Sequence, residues 1–84
     1  MKIKPKDLYV GMLVVTTTAD NGQVYTIGHI FPNSTLVDIQ WMEGTKHYAQ
    51  GIDYSLLMKP TLKQIEYSLW AYGPLVSFDQ ILNF

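Results

Sequence analysis

The chain has 84 residues, 48% hydrophobic and only 15% charged, with a formal net charge of −1. All six basic residues are lysines, and there is no Arg and no Cys; this removes disulfides, thiolate nucleophiles and Cys-type zinc sites, and argues against sequence-specific DNA reading, which relies on the bidentate Arg fork. A single domain this small sits near the lower limit for a self-sufficient core, and so few charges imply apolar surface that seeks a partner or a second copy.

Met1 to Pro5 form a short basic lead-in, expected to fray. The β-rich block runs from Lys6 to Lys59. Its first strand is expected over Gly11–Thr18, where β-branched residues are densest. Ala19-Asp20-Asn21-Gly22 supplies the Asn-Gly hairpin signal. A second strand follows over Gln23–Phe31, with Gly28 inside it marking a bulge or bend. The third strand, Thr35–Met42, alternates: Val37, Ile39 and Trp41 share one face, while Asp38 and Gln40 point the other way. Glu43-Gly44-Thr45 turns the chain into a fourth strand over Lys46–Gln50. Gly51 to Ser55 read as a turn or a single 3₁₀ turn, before a short fifth strand at Leu56–Lys59.

After Pro60, Thr61 is a plausible helix N-cap, and Leu62, Ile65, Leu69 and Trp70 fall on one helical face. Gly73-Pro74 ends that helix. Ser77-Phe78-Asp79-Gln80 then has the form of a second capping box. The helix, together with Leu75, Val76, Phe78, Ile81, Leu82 and Phe84, is too apolar to stand free in water. It is expected to pack on the β-block, on a second copy or on a partner.

The β-block resembles the SH3-like small-barrel superfamily, in the Tudor and KOW style. The residues that carry the likeness are Asp7-Leu8-Tyr9-Val10-Gly11-Met12-Leu13-Val14, Tyr25 before the second strand, and Val37-Asp38-Ile39-Gln40-Trp41-Met42-Glu43-Gly44. The resemblance covers Lys6 to Lys59 and implies a five-stranded barrel. Barrels of that kind mostly bind peptides, modified side chains or nucleic acids, and seldom catalyse.

Tudor-type modules hold methylated Lys or Arg in a cage of aromatic rings, often beside an acid. The residues placed to serve are Tyr25, Trp41, Tyr48 and Tyr54, with Asp53. The plainer reading is packing in the barrel wall, because alternation puts Trp41 on the face of Val37 and Ile39. His29 and His47 fall on neighbouring strands within reach of Asp38, yet two histidines with scattered carboxylates do not meet the ligand count of a zinc site. None of Ser34, Ser55, Ser68 and Ser77 sits in an activating motif. The glycines are spread singly, so no phosphate-cradling loop exists. Asp38, Glu43 and Asp53 read as solvated polar positions. Neither catalysis nor a metal or cofactor is expected.

The sequence therefore predicts one mainly β domain: a five-stranded SH3-like barrel or curled antiparallel sheet over 6–59, with a C-terminal helix and apolar tail over 60–84 packed on it. The expected function is a non-catalytic adaptor that contacts another protein, or itself, through Trp70, Tyr72, Leu75 and Phe78 and the aromatic rim. The alternative is a small nucleic-acid-associated barrel using Lys2, Lys4, Lys6 and Lys46 beside Tyr9. No run approaches the ~20 apolar residues of a membrane span, and a cytoplasmic location is expected.

Overall fold

The computed structural model describes residues 3–17 and 22–81. Five strands form one antiparallel, curled sheet: β1 (Leu13–Thr16), β2 (Tyr25–Ile30), β3 (Leu36–Glu43), β4 (Lys46–Asp53) and β5 (Leu57–Met58). Their spatial order is β4-β3-β2-β1-β5, so β4 and β5 are the edges. Helix α1 (Leu62–Tyr72) follows, and short 3₁₀ turns occupy Pro5–Asp7, Tyr54–Leu56 and Phe78–Gln80. The architecture is the mainly β one expected. The Asn-Gly hairpin lies outside the described residues, except for Gly22.

One face of the sheet carries the core. Val14, Ile27, Val37, Ile39 and Leu57 are buried there with Met12 and Tyr25, the inward halves of period-two strands. Ile3 joins them, which corrects the expectation of a frayed lead-in: that residue is a core anchor. The Gly28 bulge is present, as the β2–β3 register shifts between Ile27 and His29.

β4 is longer than its sequence suggested. It continues through Gly51, Ile52 and Asp53, which pair with Asp38, Val37 and Leu36; the 3₁₀ turn starts only at Tyr54, capped by the Asp53 carboxylate on the Ser55 N–H. A glycine reads as punctuation in sequence, but on an edge strand it extends the ladder with no side chain.

The larger correction concerns the other face. Asp38 and Gln40 are not solvated; both are buried, Asp38 being only 3% exposed. α1 and the segment after it cover part of this face. The Ser68 hydroxyl accepts a hydrogen bond from the Val24 N–H (2.9 Å), and the Thr26 hydroxyl donates to the Val76 carbonyl (2.8 Å). The Tyr67 ring lies where a Cβ on Gly22 would stand, and Gly22 also holds φ +75°, so a larger residue there is doubly excluded.

Thr61 and Gln64 cap α1 reciprocally: Gln64 N–H donates to the Thr61 hydroxyl, and Thr61 N–H to the Gln64 amide oxygen. Gly73, with φ +88°, closes it. Both ends match the sequence reading. The buried face does not. The one buried residue of α1 is Ser68, whereas Leu62, Leu69 and Trp70 of the expected packing stripe are exposed and Ile65 is half-buried. Among the described residues, no helix is long and apolar enough to cross a membrane.

Candidate functional site

Three regions gather the residues with chemical or binding potential. The first is a row of rings across β2, β3 and β4. Tyr25 meets Trp41 edge-on (centroids 5.3 Å), and Trp41 stacks on Tyr48 (5.7 Å, 16° between planes). Trp41 Nε1–H donates to Glu43 Oε2 at 3.0 Å. These rings pack on one another along the sheet, with Tyr25 buried and Tyr48 at the exposed end. Tyr54 packs separately against the core. The Asp53 carboxylate is engaged by the Thr35 hydroxyl and the Ser55 N–H (both 2.9 Å), and those hydrogen bonds hold it below the usual carboxylate range. An open cage around a cation is not what these groups build in this arrangement.

The second region is the outer surface of α1 and the following segment. Leu62 is 77% exposed, Trp70 82% and Phe78 69%. Tyr67 brings Trp70 and Tyr72 together, with centroids at 5.9 and 6.5 Å. Tyr72 and Leu75 are half-buried and line a tight crevice with Gln23, Val24, Ser68 and Val76. Of the four expected contact residues, then, Trp70 and Phe78 project outward and Tyr72 and Leu75 help seat the segment. Phe78 rests against Gly11, whose missing side chain makes room for the ring. Close by, a shallow groove of about 370 Å³ runs between Asp7, Tyr9, Gly11, Met12, Lys59 and Ile65. Tyr9 is exposed on its wall.

The third region is polar: His29 and His47 do lie near Asp38, as the sequence suggests, but Gln40, which links Asp38 to His47, is not foreseen. On the face opposite the core, Gln40 Nε2–H donates to Asp38 Oδ2 (3.2 Å), and His47 Nε2 shares a hydrogen bond with Gln40 Oε1 (2.8 Å). Gly28 makes this possible, because the Gln40 amide occupies the space a side chain at 28 would need. Burial pushes the Asp38 carboxyl above its ordinary range; the Gln40 hydrogen bond and the nearby His29 and His47 oppose that shift. His29 is turned edge-on to Phe31 at 4.5 Å. The sequence signal was available in principle: Asp-x-Gln in an otherwise apolar strand, opposite a neighbouring strand with a glycine.

Among the described residues, no cluster of three or more His, Cys, Asp or Glu is arranged to hold a metal ion. The described serines serve the backbone or nearby side chains: Ser34 accepts from Leu36 N–H, Ser68 from Val24 N–H, and Ser77 donates to Gln80. Lys4 and Lys6 are exposed near the 3₁₀ turn that precedes β1, and Lys46 is exposed at the start of β4, on the far edge of the sheet. Lys2 lies outside the described residues. No family model, characterised protein or solved structure matches the chain.

Proposed function

We propose that this domain is a non-catalytic binding module that acts through protein–protein contact, with the outer surface of α1 and the adjoining tail as its contact face. The observation that carries this reading is a split of labour within α1. The helix is seated through Ser68, yet Leu62 and Trp70 are more than three-quarters exposed, with Phe78 little less so. Aromatic anchors with Trp at the centre are the usual source of binding energy in such contacts, and single monomers seldom leave so much apolar surface bare. The groove beside Tyr9 extends the same surface and offers a place for a partner's side chain.

The test is affinity capture from native lysate with wild type, Trp70→Ala and Phe78→Ala, each with and without nuclease. The expected result is a protein held by wild type, resistant to nuclease and lost with either variant, while circular dichroism shows both variants folded. Unfolding of the variants would make these residues structural. A captured set that vanishes with nuclease would instead favour nucleic acid held by Lys4, Lys6 and Lys46.

A further inference from the structure

Asp38 lies at the base of a notch that the sheet builds on its non-core face. Its register partner on β4 is Gly51, and on β2 it is His29. Directly opposed residues of antiparallel strands project to the same side, a few ångströms apart. At Gly51 that place is empty: nothing lies within 4 Å of where a Cβ would stand. The result is a concavity of about 120 Å³ lined by Phe31, Asp38, Ala49, Gln50 and Gly51.

The chemistry of this wall is specific. Asp38 is 3% exposed, its Oδ2 accepts from Gln40, and its Oδ1 is buried with no hydrogen-bond partner. Buried polar atoms are rarely left so, and a carboxylate oxygen least of all. Neither histidine hydrogen-bonds to Oδ1: His47 Nε2 is engaged by Gln40, and the His29 ring packs at a steep angle on Phe31. Phe31, Ala49 and Gly51 add apolar surface beside the acid.

We propose that this notch binds a primary alkylammonium group, its N–H donating to Asp38 Oδ1 and its carbon stem lying against Phe31 and Ala49. An ammonium supplies both missing elements at once, a donor and a positive charge. A lone metal ion fits poorly, because one carboxylate with aliphatic and aromatic neighbours offers too few ligands. Water satisfies the oxygen but not the apolar wall. Oδ1 is shielded from solvent, so entry requires a rim side chain to turn; Phe31, 36% exposed, is the wall with room to do so. The ammonium can belong to a lysine side chain of a peptide or to a free amine. This site is separate from the α1 surface, and either proposal can fail alone.

The experiment is an amide NMR titration of the full chain with n-butylammonium, against n-butanol and tetramethylammonium as matched controls. Saturable shifts at Asp38, Ala49 and Gly51 are expected with n-butylammonium alone, because butanol lacks the charge and tetramethylammonium lacks the donor. Asp38→Asn is expected to weaken binding about tenfold or more. Gly51→Val is the second variant: its side chain grows into open space at a position without positive φ, so it fills the notch while the strand stays paired. It is expected to abolish the shifts with the amide spectrum otherwise folded. N-acetyl-lysine methylamide binding more tightly than butylammonium points to a peptide lysine as the source, and weaker binding points to a free amine. Absence of saturation, an equal response to butanol, or unchanged binding in Gly51→Val overturns the proposal and leaves a notch that holds only water.

Discussion

The sheet core and the seam under α1 and the segment after it differ in how far they rely on directional contacts. On the core face Val14, Ile27 and Leu57 are fully buried and wholly apolar. At the seam, buried Val24 and Val76 and half-buried Tyr72 and Leu75 are joined by two hydrogen bonds: the Ser68 hydroxyl of α1 on the Val24 N–H, and the Thr26 hydroxyl on the Val76 carbonyl of the segment after it. Apolar burial is non-directional and scales with area, so it supplies stability. Hydrogen bonds are directional and net little each, so they fix where the helix sits. The difference explains how a chain this small can leave Leu62 and Trp70 outside: the helix does not need them for docking.

The largest expected effect probes the core side of that contrast. Ile27→Ala removes a side chain with no exposed surface and is expected to cost about 2–5 kcal/mol, read as a lower urea midpoint of the whole domain. In a domain near the size limit, that loss approaches total stability. An effect below that range would mean the core is not the chief stabilising element.

The seam is probed by setting Ser68→Ala beside Trp70→Ala. Ser68→Ala deprives the buried Val24 N–H of its acceptor, an expected loss of about 1–3 kcal/mol, with faster hydrogen exchange at Val24. Trp70→Ala removes a far larger side chain from an exposed position, and is expected to change stability by no more than about 0.5 kcal/mol. The inversion of size and effect is the point. If the tryptophan proves the more destabilising of the two, α1 docks through its apolar stripe and the contrast collapses.

That inversion also marks where the sequence stops being readable. Core positions Val37 and Ile39 follow from alternation, and both ends of α1 follow from Thr61, Gln64 and Gly73, because these signals depend on a few neighbouring residues. Which face of α1 is buried does not follow. Periodicity selects the stripe of Leu62, Ile65, Leu69 and Trp70, and nothing in the local sequence distinguishes Ser68 from any solvated serine. Asp38 and Gln40 fail for the same reason: a two-residue period sends them away from the core, and only tertiary cover decides whether that direction is water. Of the proposed contact residues, Trp70 and Phe78 are exposed, while Tyr72 and Leu75 are half-buried. The Asp38 notch depends on a strand register, Gly51 opposite Asp38, that spans thirteen residues of chain and has no local signature.

The smallest effect is expected with pH, because two aspartates act in opposite senses. Burial raises the folded-state pKa of Asp38. Between the unfolded and folded values the native state therefore holds more protons, so stability falls as pH rises through that window, and the penalty is complete above the folded value. For Asp53 the Ser55 and Thr35 hydrogen bonds lower the folded value; its contribution is present above the unfolded value and is lost as pH falls through the folded one. Wild type should accordingly show a shallow dependence in the acid range. Asp38→Asn removes the first component, leaving stability that rises with pH, and gains most over wild type at neutral pH. Asp53→Asn removes the second and loses most there. Urea midpoints of the three proteins at acid and neutral pH decide it: an Asp38→Asn variant weaker than wild type at neutral pH would show that the Gln40 hydrogen bond and the nearby histidines outweigh the burial of the carboxylate, which then belongs with the stabilising groups.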